Sequence, residues 1–301
     1  MQNYRFSGHE TFICKQFWPK KGYDFLTSGN KFSDVDSVVK LGVGKNMVNS
    51  IRFWLKSMTL IDENDQITKI AKLIFDDKGF DPYLEDIGTI WLLHYLLVST
   101  GYASLYNIVF NEFLKMKNEF TKDSLQNYLR RLSTNKDGNF YNEKTVKNDI
   151  NVFLRNYLQS ENETKNSNIE DDYSGLFQEL GLIKLFVQQE PEKNVEKYYL
   201  IEREDRPSLP KEIFLSIILL NNRIGNSVSL NELVSDHNSV GNIFLMNRKG
   251  IYQKIEEFLA DFSFLSFNRT AGVPLLQFDG KIDPYKVLEK YYENINIHTF
   301  N

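Results

Sequence analysis

The residues predict a mainly α protein with small β-hairpins, arranged as tandem winged helix-turn-helix-like units. Three observations support this. Apolar residues recur with the period of helices along most of the chain. Short apolar runs beside turn residues, such as "LIKLFVQ" at 182–188 and "KYYLIER" at 197–203, read as small hairpins rather than a large sheet. The order helix, helix, hairpin recurs at intervals of roughly 100 residues.

The first copy spans 33–75. "SDVDSVVKL" reads as a helix with Ser33 at its N-cap and Asp34 and Asp36 in its first turn. Val35, Val38, Val39 and Leu41 are its apolar contacts, and Gly42 permits the tight turn. The second helix starts at Lys45. Met47, Val48, Ile51, Trp54 and Leu55 form its inner stripe, and "LIDENDQIT" follows as a hairpin. The second copy spans 121–203. "TKDSLQNYLRRLS", capped by Thr121, leads through a Gly138-Asn139 turn to "NEKTVKNDINVFLRNYL" and then to the paired strands. The third spans 210–278. "PKEIFLSIILL" and "SLNELVSDH" precede "NRKGIYQKIEEFLADF", and a turn at Thr270-Ala271-Gly272 joins "FLSF" to "VPLLQF". "QSENETKNSNIEDDYSG" at 159–175 is a polar linker, and the prolines of "EREDRPSLP" at 202–210 interrupt any helix. The expected domains are an N-terminal winged-helix domain with a helical extension over 1–118, a second unit over 119–205 and a third over 206–301.

Bulk charge does not point to nucleic acid, because the 301 residues carry a net charge of −4. Local charge does: Met1 to Leu60 holds nine Lys and Arg against four acids, for +5. The lone Cys14 supports neither an internal disulfide nor a cysteine metal site, and reads as a small buried hydrophobe. The start has no apolar signal core, and the longest apolar run, "IWLLHYLLV" at 90–98, is less than half of the roughly 20 residues of a membrane-spanning helix. The expectation is a soluble cytoplasmic protein with no membrane partner.

The helix from Lys45 sets Lys45, Asn46, Asn49, Arg52 and Lys56 opposite its apolar stripe. Lysine and arginine neutralise phosphates, asparagine bonds adenine edges and arginine bonds guanine, so this face is a candidate reader of double-stranded DNA. Asp62, Glu63 and Asp65 at the following hairpin tip would repel phosphates, which predicts a wing turned away from DNA. Phe53 on the same side predicts a covering segment. A solvated surface helix accounts for the same charges. Weaker basic signals are Lys144 and Lys147 in the second copy, interrupted by Glu143 and Asp149, and Arg248, Lys249 and Arg269 in the third. Docking of partners would explain them equally well.

Candidates for chemistry are His9 beside Glu10, and the acids Asp81, Glu85 and Asp86 of "GFDPYLED". The first pair offers acid–base groups, although adjacent residues point apart. The acids could hold Mg²⁺ for phosphodiester cleavage. Alternatively, Asp81 caps a helix beginning at Pro82, with the other two acids complementing its dipole. His94 reads as a hydrogen-bonded core histidine. No phosphate-binding glycine loop and no nucleophile elbow is present, and no organic cofactor is indicated.

"FSGHETF", "LGVGKNMVNSIRFWL", "GFDPYLEDIGTIWLLHYLL" and "NEKTVKNDINVFLRNYL", in that order, resemble the SspB-like family of bacterial DNA phosphorothioation (Ssp-type) defence gene clusters. The likeness runs from about residue 4 to 290. It implies a DNA nickase acting in phage defence with a cysteine desulfurase, an ATP pyrophosphatase-like sulfur-transfer enzyme and an ATPase. It transfers no catalytic residues, so His9, Glu10, Asp81, Glu85 and Asp86 rest on chemistry alone. A non-catalytic DNA-recognition subunit and a winged-helix transcriptional regulator are the alternatives.

Overall fold

In the computed structural model the chain divides into two compact units, Met1–Ile201 and Glu202–Asn301. The described residues are 4–135, 140–158, 175–188, 196–221, 223–269, 272 and 274–299. The linker at 159–175, except for Gly175, the Gly138-Asn139 turn and most of the Thr270–Gly272 turn lie outside them. Helices dominate, and the strands form two small antiparallel three-stranded sheets, in agreement with the coarse fold class.

The first unit opens with α1 (Trp18–Thr27), α2 (Ser37–Leu41), α3 (Lys45–Ser57) and α4 (Lys69–Phe75). α2 is shorter than the periodicity predicts. The Asp34 carboxylate accepts the Lys31 N–H at 2.9 Å, which closes a turn where the helix was expected to begin. Val35 and Val39 are 101% and 81% exposed, so the apolar contacts expected of them are absent; Leu41 is buried. After α3 the chain makes a tight loop closed by one antiparallel bridge, Ile61 to Ile67. Thr68 then caps α4 by accepting the Ala71 N–H.

α5 (Ile87–Thr100) and α6 (Ser104–Asn111) form the centre of this unit. α5 is apolar all round, and Trp91, Leu92, Leu93, Leu97 and Val98 have no exposed surface. His94 is buried with Nδ1 3.0 Å from the Tyr157 hydroxyl, as a core histidine should be. β1 (Glu119–Phe120), α7 (Lys122–Asn135), α8 (Glu143–Tyr157), β2 (Lys184–Gln188) and β3 (Glu196–Leu200) complete the unit, with sheet order β1-β3-β2. Thr121 caps α7 by accepting the Ser124 N–H.

The second unit runs α9 (Lys211–Leu220), β4 (Ser227–Ser229), α10 (Leu230–Ser235), α11 (Val240–Ile243), α12 (Arg248–Leu259), β5 (Leu265–Asn268), β6 (Leu275–Phe278) and α13 (Pro284–Thr299). Its sheet order is β4-β6-β5. Ser229 and Glu232 form a capping box at α10. Val287, Leu288, Tyr291 and Tyr292 bury one face of α13, which packs along α9. Among the described residues no helix is long and apolar enough to cross a membrane.

Candidate nucleic-acid interface

α3 follows a turn that only particular dihedrals allow. Gly42 ends α2 in the left-handed region at φ 63°. Gly44, extended at φ −65° and ψ 159°, then starts α3 with no side-chain cap and no acid in the first turn. Neither a capping side chain nor a first-turn acid therefore offsets the positive end of the helix dipole. Val48, Ile51, Trp54 and Leu55 are buried as the stripe predicts.

The outer face of α3 divides into two halves. Lys45, Asn46 and Asn49 are exposed. Lys45 and Asn46 also line a groove of about 920 Å³ between α1 and the Gly42–Gly44 turn, which Lys15 and Lys21 border as well and whose lining contains no carboxylate. The C-terminal half differs. Arg52 Nε and Nη2 each lie 2.9 Å from one of the two Asp65 oxygens. Lys56 is buried, with Nζ 2.7 Å from the Glu63 carbonyl and 3.1 Å from Asp65. Lys56 therefore does not belong to the outward face, and the acidic loop folds back on α3 instead of projecting from it. Helical spacing puts Lys56 in line with Lys45, but a neighbouring loop decides its exposure, which spacing cannot reveal.

Phe53 is covered, as its position required, by the segment Ser7–Phe12. A Cβ on Gly8 would stand 2.3 Å from the Phe53 ring, so only glycine fits at this crossing. Ser7, Glu10 and Thr11 all have positive φ. This conformation is held by His9, whose ring stacks on Trp54 and whose Nδ1 accepts the Thr11 N–H at 3.1 Å. His9 Nε2 lies 3.1 Å from Asp149 Oδ1, and both oxygens of that carboxylate also accept the Ser7 N–H. Both imidazole nitrogens are thus engaged and the ring is 3% exposed. Glu10 turns the other way, with Oε1 3.5 Å from Asn49 Nδ2.

The acid group is dispersed. The Asp81 oxygens accept the Glu85 and Asp86 N–H groups at 2.8 and 3.1 Å. Asp86, not Asp81, caps the helix, which begins at Ile87 and not at Pro82. Glu85 is exposed. Among the described residues no group of three or more His, Cys, Asp or Glu side chains is placed to hold a metal ion. Asp81, Glu85 and Asp86 therefore do not form a three-carboxylate site in this arrangement; Asp81 closes the turn and Asp86 caps α5.

Elsewhere, Asp149 turns inward to His9 and leaves Lys144 and Lys147 exposed on α8 without that acid between them. Burial, followed by Lys197 and Lys147, lowers the pKa of Lys122, which marks a local concentration of positive charge the linear pattern did not reveal. In the second unit Arg248 donates to Asn231 at 2.7 Å, Lys249 pairs with Asp205 at 2.6 Å, and Arg269 pairs with Glu256 while lying over the Tyr252 ring.

Two solved structures are similar to this chain: an SspB crystal structure and a magnesium ion-bound SspB crystal structure. Each is 27% identical with a TM-score of 0.83, and the match covers 97% of this chain and 89% of that one. No curated protein matches the chain. A family model described as a protein of unknown function (DUF4007) matches residues 6–292, from the glycine-bearing segment that covers Phe53 to the last buried turn of α13, and the chain belongs to that family.

Proposed function

We propose that this chain is the DNA-binding component of a bacterial DNA phosphorothioate-modification system, and that it reads duplex DNA with α3. The observation that carries the reading is the outer face of α3: Lys45, Asn46 and Asn49 exposed beside a lysine-lined groove without carboxylates. Element order supports the mode of binding. Each three-stranded sheet has its helices between the first strand and the following pair, with the third strand central. That is the order of a winged helix-turn-helix, and α2, α3 and the Ile61–Ile67 loop make a reduced version of it. In this reading the first compact unit holds two such modules and the second unit holds one. Lys144, Lys147, Arg248, Lys249 and Arg269 grip backbone or dock the sulfur-transfer partners: a cysteine desulfurase, an ATP pyrophosphatase-like enzyme and an ATPase.

The test is duplex affinity against salt. Lys45→Ala weakens binding to all duplexes alike and reduces the salt slope by about 1, whereas Asn49→Ala relaxes preference at one base position by about 1–3 kcal/mol. Unchanged duplex affinity in Lys45→Glu overturns the reading.

A second reading adds strand nicking to recognition. Its support is the likeness to SspB, one structure of which carries magnesium. Because Asp81 and Asp86 spend their carboxylates on backbone N–H groups and the three acids do not converge on one site, no cleavage step is assigned to them. Conversion of supercoiled plasmid to open circle by the purified protein with magnesium, abolished by chelator, is the expected result. Its absence leaves recognition as the whole function.

A further inference from the structure

Three large aromatic side chains stand out as exposed among the described residues: Phe17 at 54%, Tyr83 at 58% and Phe186 at 59%. Phe17 and Tyr83 belong to neighbouring segments of the first unit. They are brought together. Gln16 Nε2 reaches the carbonyl of Leu84 at 3.2 Å, which joins the segment before α1 to the turn before α5. Phe17 and Tyr83 line one groove of about 450 Å³. Phe17 and Lys21 also line the 920 Å³ groove, so the two grooves meet at the Phe17 ring. Lys15 and Lys21 border the larger groove. In the smaller one the single lining acid, Asp24, is paired with Lys20 at 2.5 Å, and Lys40 is paired with Asp36 at 2.9 Å, which leaves Lys21 as the lining cation that both grooves share.

Exposed aromatic faces between cationic side chains match one chemistry closely. A base released from its stack presents a flat π-face, and its phosphates follow a positive groove whatever the sequence. Paired bases in a duplex cannot stack on these rings, because their faces are already occupied. Resting on the DNA-binding reading above, we infer that the grooves meeting at Phe17 hold an unpaired stretch of nucleic acid. Phe17 and Tyr83 stack on bases, and Lys15 and Lys21 face the phosphates. Lys45, at the end of the larger groove, links this path to α3. The chain would thus hold a duplex site and an adjoining opened strand at once.

The experiment uses the full chain and fluorescence anisotropy with four labelled probes: an oligo-dT, the same length of abasic phosphodiester, a blunt duplex and a poly-glutamate. Phe17→Ala and Tyr83→Ala, both surface changes checked for folding by circular dichroism, weaken oligo-dT binding by roughly tenfold each. They leave abasic and duplex binding within about twofold, since neither change touches charge. If oligo-dT binding is absent or indifferent to both variants while duplex binding is intact, this inference is overturned and the duplex reading survives. If the parent protein binds oligo-dT in a Phe17-dependent way but binds no duplex, the duplex reading fails and the groove assignment stands; if the two variants lose duplex binding and keep oligo-dT binding, the inference is overturned. A labelled poly-glutamate that binds in a Phe17-dependent way, with oligo-dT not binding, assigns the grooves to an acidic protein segment and overturns the inference.

Discussion

His9 Nε2 and Asp149 Oδ1 sit 3.1 Å apart with both side chains buried, and they fasten the first residues of the chain to α8. Asp149 also accepts the Ser7 N–H through both oxygens. Removing the imidazole leaves a buried carboxylate short of a partner, and removing the carboxylate leaves the buried His9 Nε2 and the part-buried Ser7 N–H without their shared acceptor. His9→Ala and Asp149→Ala are each expected to lower unfolding free energy by about 3 kcal/mol in urea titrations. Asp149→Asn, which keeps an acceptor for Ser7, is expected to cost less. If His9→Ala instead leaves stability intact and abolishes a nicking activity, the pair has a chemical role in place of this structural one.

Asp65 gives a prediction of opposite sign. It neutralises Arg52 through two 2.9 Å contacts and Lys56 through one of 3.1 Å. Asp65→Asn is expected to tighten duplex binding about two- to fivefold at low salt, with the gain fading as salt screens the released charge. Titrations at two ionic strengths check this, and weaker binding in the variant would mean that the ion pairs shape the reading surface.

Cys14 has no exposed surface, its N–H donates to Asn156 Oδ1 at 3.0 Å, and burial pushes its thiol pKa far above the ordinary range. The thiolate is the reactive form, so the native protein is expected to resist a chromogenic disulfide reagent at pH 8 and to react fully once unfolded. Rapid modification of the folded protein would show that the segment opens.

The second unit carries an acid-sensitive set. Hydrogen bonds from Lys249 and Asn247 hold Asp205 below the usual aspartate range, and Lys211 does the same for Asp261. A lowered folded pKa contributes stability that is present above the unfolded value of about 4 and is lost as pH falls through the folded values. The unfolding free energy of residues 202–301 should therefore fall below about pH 4, and less steeply in Asp205→Asn and Asp261→Asn. Equal slopes in variant and parent would remove these pairs from the acid response.

The parts of the fold legible in sequence were those with a local cause. The α3 stripe, the Thr121 cap and the β2–β3 and β5–β6 pairs follow from periodicity and capping. β1, of two residues, and β4, of three, are too short to show a period, so the first strand of each sheet is invisible in the sequence. Asp81 and Asp86 exchanged roles because a side chain that closes a turn looks, in sequence, like one that caps a helix. Asp149 was read as an acid interrupting a basic face; only the tertiary fold turns it inward. The exposure of Phe17 could not be read either, because aromatic residues are frequent and exposure is not written in composition.

The clasp between the start of the chain and α8 joins residues 142 positions apart, at Ser7–Asp149 and again at Cys14–Asn156. During synthesis α3 emerges long before its cover can close. Phe53 and Trp54 must wait, uncovered, for roughly a hundred further residues to leave the ribosome, and such distant closure is slow and prone to off-pathway association. Truncations ending before α8 should accordingly need chaperones or precipitate, and the half-made protein should have no settled cover over the inner side of α3 until the clasp shuts.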